Sequence, residues 1–197
     1  MSVDPETLAV YSAQAQAYDD MTADLEGDKH LATFLAAMPP NARVLDLGCG
    51  PGRAAAQMAK AGLRVDATDA VPEMVDMAAA RPGVTALQAD FDDISGNDLY
   101  DGIWANFSLL HASRADLPRH LAALKTALKP GGLFHIGMKT GAGEERDTIG
   151  RLYTYYTEDE LRALLQHAGF TPEASWTGRD KGLSGQMSDW VVVHAHG

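Results

Sequence analysis

The sequence is poor in cysteine, in basic residues and in long apolar runs. One cysteine among 197 residues leaves no partner for an internal disulfide. Lys and Arg number 16 against 27 Asp and Glu, so the net charge of -11 repels nucleic acid and anionic lipid at long range. No apolar run reaches the roughly 18 residues of a membrane span, and the first residues lack the basic start and apolar centre of a signal peptide. We therefore expect a cytoplasmic protein without nucleic acid or membrane partners; the oligomeric state stays open.

Apolar segments typical of strands alternate with helical patterns over most of the chain. The predicted strands span 43–47, 64–68, 84–88, 100–105 and 133–138, and the predicted helices span 52–61, 72–80, 114–128 and 158–168. Strands that alternate with helices are typical of a parallel sheet covered on both faces. Two more strand patterns, at 170–177 and 189–194, follow each other without a helix, which predicts an antiparallel C-terminal edge. The fold class is therefore α/β.

Local signals refine this organisation. Helical spacing predicts helices over 5–25 and 28–38, ahead of the alternating region. A Ser-x-x-Asp pattern from Ser113 and a Thr-x-x-Glu pattern from Thr157 resemble capping boxes, which open helices. The segment 139–151 is the one long loop candidate, and loops of this length are usually functional or mobile.

A glycine-rich turn, VLDLGCGPG at 44–52, follows the first predicted strand. In an alternating sheet this turn lies at the carboxyl end of the strands, where ligands bind. The dinucleotide fingerprint needs a third small residue for close helix packing, but Arg53 stands at that place. Pro51 also removes one of the backbone N–H donors that a pyrophosphate would need. The turn therefore departs from a dinucleotide site.

A carboxylate, Asp46, precedes the glycines of this turn. Negative charge favours a ligand that carries an ammonium or a sulfonium group, and Gly48 and Gly50 let the backbone approach it without side chains between. The alternative is an ordinary glycine turn between strand and helix. The spacing together with the carboxylate favours a site for a cationic ligand.

Two further carboxylates end the second and third predicted strands. Asp69 can accept hydrogen bonds from a ribose diol, although it can equally cap the helix that begins near Pro72. Asp90 can accept from an adenine amino group, while Phe91 covers the base. A solvated acidic turn is the alternative at Asp90.

These residues belong to a series of motifs that resembles the class I S-adenosylmethionine-dependent methyltransferases. In chain order the motifs are VLDLGCGPG at 44–52, DAVPEMV at 69–75, ADF at 89–91, YDGIWANFSLLH at 100–111 and LKPGGL at 128–133. The resemblance implies a Rossmann-like sheet of seven strands whose last strand is antiparallel, with S-adenosylmethionine as cofactor. By motif position it implies a cofactor site made of Asp46, Gly48, Gly50, Asp69, Asp90, Phe91, Ala105 and Asn106. We expect residues 1–40 to form helices that cover the cofactor and acceptor site, and 41–197 to form the methyltransferase domain as one globular unit.

Methyl transfer is an in-line displacement that depends mainly on alignment and exclusion of water. His111 follows the fourth strand and is the candidate catalytic base, with a structural histidine as the alternative. We expect the acceptor to meet Tyr11, Tyr18, Lys139, Arg146 and Arg151, but helix packing would equally explain the tyrosines and solvated charge the cations. Cys49 is expected to pack within the turn, and no metal-ligand cluster is evident.

The acceptor is predicted to be a small molecule. Asn106-Phe-Ser stands where amino-group methylases of nucleic acids carry an Asn- or Asp-Pro-Pro-aromatic signature, and no appended domain is evident. Two other functions stay open: a partner or sensor that binds S-adenosylmethionine without transferring methyl, and a nicotinamide-dependent oxidoreductase, which the residue at position 53 disfavours.

Overall fold

The computed structural model describes residues 3–22 and 28–197, in which helices surround a central sheet. The strands are β1 Arg43–Leu47, β2 Arg64–Asp69, β3 Val84–Gln88, β4 Tyr100–Asn106, β5 Leu128–Lys139, β6 Glu144–Arg146, β7 Leu152–Thr154, β8 Thr171–Lys181 and β9 Met187–His196. The helices are α1 Pro5–Ala13, α2 Ala15–Met21, α3 Lys29–Ala37, α4 Arg53–Lys60, α5 Pro72–Ala79, α6 Leu117–Ala127 and α7 Glu158–His167.

The main sheet has seven strands in the order β3-β2-β1-β4-β5-β9-β8. Strands β1 to β5 run parallel, whereas β9 runs antiparallel to both of its neighbours, β5 and β8. The predicted mostly parallel seven-stranded sheet with antiparallel pairing at its C-terminal edge is confirmed. Because the chain leaves β1 toward β2 on one side and reaches β4 on the other, the strand order reverses between β1 and β4. A ligand crevice is expected at this point of a parallel sheet.

Helices cover both faces of the sheet because the central strands are apolar on both sides. On one face, Phe34 of α3 and Met58 of α4 pack with Trp104 of β4. On the other face, Leu121 of α6 and Leu165 of α7 join a larger core. All five side chains are fully or almost fully buried.

The predicted N-terminal helix over 5–25 is divided in the structure. Gln14 lies between α1 and α2 with a non-helical backbone, and residues 23–25 of the prediction lie outside the described residues. Helix α3 packs against one face of the sheet, in the core that includes β4. Of the N-terminal helices, only α1 and α2 therefore line the candidate site described below.

Two other boundaries differ from the sequence prediction. Helix α6 begins at Leu117 rather than near 114, because the Ser113 hydroxyl accepts from the Asp116 N–H at 3.1 Å and forms a separate turn first. The Thr157 capping box is confirmed at α7. The predicted loop 139–151 contains strand β6, whose charged residues give no apolar alternation.

In the ranges 3–22 and 28–197, none of the helices has the length and apolar character that a membrane span requires.

Candidate functional site

The glycine turn after β1 is shaped by close contacts with its neighbours. Gly48 and Gly52 have left-handed φ angles of 68° and 74°. A Cβ atom at Gly48 would lie 2.3 Å from the Cβ of Ser108, and one at Gly52 would lie 2.7 Å from the Cα of Ala78. Glycine is therefore required at both positions by backbone conformation and by space.

Asp69 holds this turn from the end of β2. Its Oδ2 accepts from the N–H of Gly50 at 2.8 Å, and its Oδ1 accepts from the N–H of Val71 at 2.9 Å. Burial raises the pKa of Asp69, and the backbone hydrogen bonds oppose this shift. Each carboxylate oxygen keeps a second lone pair, so the same side chain can fix the turn and accept from a ligand.

Asp46 lies buried beneath the turn. It does not line the cavity that opens beside the turn, which is described below. Burial raises its pKa to about 7, and the N–H of Ala55 opposes the shift. Within the described residues, its Oδ2 has no hydrogen-bond partner. A buried carboxylate left short of partners is stabilised by any cation that approaches it.

A cavity opens beside the glycine turn, between the carboxyl ends of the strands and the N-terminal helices. It is lined by Val3, Thr7, Leu8, Tyr11, Tyr18, Leu47, Gly48, Gly50, Asp69, Ala70, Val71, Met74, Ala89, Asp90, Phe91, Asn106, Phe107, Ser108 and His111. We call it the first cavity. No Lys or Arg side chain of residues 3–22 and 28–197 lines it, whereas two carboxylates do.

Asp90 and Phe91 lie together where β3 gives way to a short 3₁₀ turn. The Asp90 carboxylate caps this turn by accepting from the N–H of Asp92 at 2.7 Å. Phe91 is buried at the cavity wall. The capping hydrogen bond gives Asp90 a role in local structure. It also fixes the orientation of the Asp90 side chain beside the cavity.

Asn106 forms the opposite wall and belongs to a chain of buried side chains. Its Oδ1 lies 3.0 Å from Nε2 of His135, whose Nδ1 lies 3.0 Å from Nε2 of His194. Burial lowers the pKa of both histidines, so the rings are neutral. Because an amide oxygen only accepts, His135 donates from Nε2 and His194 donates to His135. His135 thus holds the Asn106 amide in place.

Tyr11 links the N-terminal helices to the body of the protein. Its hydroxyl lies 2.9 Å from Nε2 of His111 and accepts from a guanidinium N–H of Arg151 at 2.9 Å. Arg151 is itself buried and paired with Asp147, with 2.7 Å between nitrogen and oxygen. Three distant segments of the chain therefore converge on one phenol.

The hydrogen bonds of His111 argue against a direct role as base. Nδ1 lies 2.8 Å from the carbonyl oxygen of Leu152 and must donate to it. Nε2 then accepts from the Tyr11 hydroxyl. Burial lowers the pKa of His111 to about 4. The ring is therefore neutral, its lone pair is already used, and its evident task is to position Tyr11.

A second cavity adjoins the first and shares four wall residues with it. The shared residues are Tyr11, Tyr18, Asn106 and Phe107. The remaining walls include Met21, Thr22, Leu110, Lys139, Arg151, Tyr153, Leu183 and Trp190. Four of the five residues predicted for an acceptor, namely Tyr11, Tyr18, Lys139 and Arg151, lie on this second cavity.

Besides Asp46, two predicted residues line neither cavity. Arg146 is on β6, where it pairs with Asp4 at 2.7 Å and so ties α1 to the small hairpin. Ala105 is fully buried in the core because its side chain leaves β4 on the opposite face from Asn106. Neither of them contacts the space where a ligand would lie.

Several wall residues escaped the sequence analysis. Phe107 has a left-handed φ of 56°, which is unusual for an aromatic residue and turns the chain out of β4 toward both cavities. Trp190 comes from β9, far along the sequence. An aromatic residue within a strand pattern is normally expected to pack in the core. That Trp190 faces a cavity follows only from the arrangement of the neighbouring strands. In the part of the chain that the structure describes, no group of acidic, histidine or cysteine side chains could hold a metal ion.

Comparisons with known proteins agree with this geometry. Residues 44–132 match a family model described as a methyltransferase domain. A ubiquinone biosynthesis O-methyltransferase of Xanthomonas axonopodis pv. citri (strain 306) is 31% identical over 157 residues, which are 68% of this chain and 65% of that protein. An S-adenosyl-L-methionine-dependent Diels-Alderase of Talaromyces variabilis is 32% identical over 108 residues, 50% of this chain and 36% of that protein. The chain thus spans less than two thirds of the length of each of these two curated relatives.

A solved structure resembles nearly the whole chain. The 1,6-didemethyltoxoflavin-N1-methyltransferase of Burkholderia thailandensis, with bound 1,6-didemethyltoxoflavin and S-adenosylhomocysteine, has a TM-score of 0.78 and 27% identity. The similarity covers 97% of this chain and 87% of that one. The resemblance therefore includes the N-terminal helices and the C-terminal strand pair.

Proposed function

Because this chain belongs to the class I S-adenosylmethionine-dependent methyltransferases, we propose that it transfers a methyl group to a small-molecule acceptor. The carrying observation is the first cavity, which is lined by two carboxylates, lies above a third and has no Lys or Arg on its described walls. Such a cavity attracts a cation and repels a pyrophosphate. The second cavity opens from it and offers room for an acceptor.

The residues of the first cavity fit the proposed cofactor. Asp69 would accept from the ribose hydroxyls with the lone pairs that Gly50 and Val71 leave available. Asp90 would accept from the adenine amino group, beside the apolar wall of Phe91. The unpartnered oxygen of Asp46 supplies negative potential behind the glycine turn. When bound, S-adenosylmethionine supplies a methyl group made electrophilic by the adjacent sulfonium.

The chain contributes alignment and shielding from water. Tyr11 and Tyr18 lie between the two cavities, and their rings meet edge to face with centroids 5.5 Å apart. The hydrogen bonds from Arg151 and to His111 hold the Tyr11 ring in place. Asn106 is fixed in the same way by His135. Side chains held by several partners keep a nucleophile aligned, which can supply most of the acceleration in a displacement of this kind.

Calorimetry of cofactor binding tests this proposal. S-adenosylmethionine is expected to bind, and NAD is expected to bind far more weakly. Asp69→Ala should weaken S-adenosylmethionine binding by about 1–3 kcal/mol, because charge-assisted hydrogen bonds are lost. Circular dichroism should show an intact fold.

The matched control is Asp66→Ala, on the same strand but paired with Arg43 outside the cavity. Its affinity for S-adenosylmethionine should equal that of the wild type. Tight NAD binding with no uptake of S-adenosylmethionine would overturn the proposed function, and an unchanged affinity in Asp69→Ala would remove that residue from the site.

Binding without methyl transfer is the second candidate. The relative from Talaromyces variabilis is named for a cycloaddition that depends on S-adenosylmethionine, so similarity over half the chain does not by itself establish methylation. Mass spectrometry of small acceptors incubated with protein and cofactor distinguishes the two. A gain of one methyl group on an acceptor supports transfer, whereas cofactor binding without any product across a broad set supports the second candidate.

A further inference from the structure

Five aromatic rings line the second cavity, those of Tyr11, Tyr18, Phe107, Tyr153 and Trp190. Rings contributed by four separate parts of the chain make large, rigid surfaces that favour a flat apolar guest over a flexible one. The shape and chemistry of these walls point to a planar aromatic acceptor.

One positive charge in this cavity has no matching negative charge. Lys139 is half-buried, its Nζ lies 3.9 Å from the centroid of the Tyr153 ring, and within 3–22 and 28–197 it forms no ion pair. Burial lowers the pKa of Lys139 and nearby Arg151 acts in the same direction, whereas Asp147 opposes the shift. Arg151 is neutralised by its own pair with Asp147. The interior wall therefore carries an excess of one cation.

The charges at the mouth of the cavity balance each other. Asp180 and Lys181 are both exposed, and Asp180 accepts from Nε1 of Trp190 at 2.7 Å. The unbalanced Lys139 lies deeper, in contact with Tyr153, whose ring centroid is 4.8 Å from that of His111 on the first cavity. The cation therefore lies close to the junction where an acceptor would meet the methyl group.

The same junction lacks an available base. The lone pair of His111 Nε2 is occupied by Tyr11, and the Tyr11 hydroxyl proton is occupied by that same bond. A neutral alcohol or amine would have to lose a proton during transfer, and Asp180, the one carboxylate on the described walls of the second cavity, lies at the exposed mouth. An acceptor that is already ionised needs no base, and it would also supply the negative charge that Lys139 lacks.

We propose that the acceptor is a planar aromatic compound whose nucleophilic oxygen or nitrogen is acidic and is bound as the anion, with Lys139 as its counter-ion. This inference rests on the proposed function. The bond to the methyl carbon forms from the lone pair of the anion, while the carbon–sulfur bond breaks and its electron pair stays on sulfur. The products are a neutral methylated acceptor and a neutral thioether, so no proton is exchanged with the protein.

The probe is 7-hydroxycoumarin, a planar acid whose absorbance reports its ionisation. Bound to the wild type, its ionisation midpoint should fall by about one pH unit, since an opposite charge a few Å away favours the ionised form. Lys139→Arg should keep this shift and Lys139→Met should lose it. Lys60→Met, at an exposed position of α4 that lines neither cavity, is the control and should keep it.

Binding of 7-methoxycoumarin, which cannot ionise, should be equal in the wild type and in Lys139→Met. S-adenosylmethionine binding, measured by calorimetry on the same proteins, should be unchanged by Lys139→Met. Lack of S-adenosylmethionine binding by the wild type would overturn the proposed function.

The inference about Lys139 fails separately in three cases: cofactor binding with no shift of the probe, equal shifts in wild type and Lys139→Met, or a preference for the methoxy compound. Binding of 2-naphthoate without any shift of the hydroxycoumarin would also overturn it, because Lys139 would then hold a carboxylate remote from the nucleophile.

Discussion

Asp46 combines burial, a raised pKa and an oxygen without a partner among the described residues. An apolar residue of similar size would avoid these costs, so the carboxylate is best explained by a cationic ligand on the other side of the glycine turn. A bound cation lowers the cost of ionising Asp46 and thereby reverses the effect of burial. The carboxylate at this position thus lowers the stability of the ligand-free protein but raises its affinity for the ligand.

Asp46→Asn is expected to reduce the pH dependence of S-adenosylmethionine affinity. In the wild type, raising the pH through about 7 ionises Asp46 and strengthens binding. The gain between pH 6 and pH 8 is on the order of tenfold, the equivalent of one pKa unit. The asparagine cannot ionise, so only the contribution of Asp69 and of the ligand itself remains. Calorimetry at the two pH values measures the difference, and identical pH dependence in both proteins would contradict it.

Helix α2 is tied to the glycine turn by one carboxylate. Asp19 pairs with Arg53 at the start of α4 and with Arg81 just after α5, each at 2.8 Å. Arg53 occupies the position where the dinucleotide fingerprint requires a small residue, and here it forms an ion pair with Asp19 instead. Because Tyr18 of the same helix lines the first cavity, these ion pairs hold one wall of that cavity in place.

Asp19→Asn is expected to loosen α1 and α2. Losing two partly buried ion pairs should cost about 1 kcal/mol of local stability. Amide exchange across residues 5–21 should become faster, and S-adenosylmethionine should dissociate faster. Asp20→Asn is the matched control, because Asp20 is exposed on the same helix and bonds only to Gln16 among the contacts described. Equal exchange in both variants would show that the Asp19 pairs do not hold the helix.

Buried histidines dominate the response of the whole molecule to acid. The pKa values of His111, His135 and His194 are lowered by burial, so the folded protein keeps these rings neutral while the unfolded chain binds protons below about pH 6.5. Each one therefore removes stability as the pH falls from 6.5 toward 4. Asp46 and Asp69 act in the opposite direction, because their raised pKa values let the fold bind protons first.

Burial also lowers the pKa values of His30 and His120, so five histidines oppose two carboxylates in this range. The free energy of unfolding should therefore be lower at pH 5 than at pH 7.5. The slope is on the order of 1.4 kcal/mol per pH unit for each uncompensated group. Urea unfolding at the two pH values measures the change. An equal or greater stability at pH 5 would mean that the histidines are not held neutral by the fold.

The parallel sheet, the glycine turn and the carboxylates after β2 and β3 were predictable from local sequence patterns. Those features depend on short-range information: apolar alternation, glycine where φ is positive, and a side chain placed directly after a strand. The predicted β1 matches the structure residue for residue. Charged strand β6 was missed because its pairing with β7 leaves no local pattern.

The use of His111 and the position of the second cavity depend instead on contacts between distant parts of the chain. Tyr11, His111 and Arg151 are separated by 100 and 40 positions, and their hydrogen bonds exist because α1 crosses the carboxyl ends of the strands. The charge of Lys139 is likewise unbalanced because the neighbouring carboxylates form ion pairs with other cations. A sequence states which groups are present, but the free energy of each buried charge depends on the partners that folding brings within a few Å.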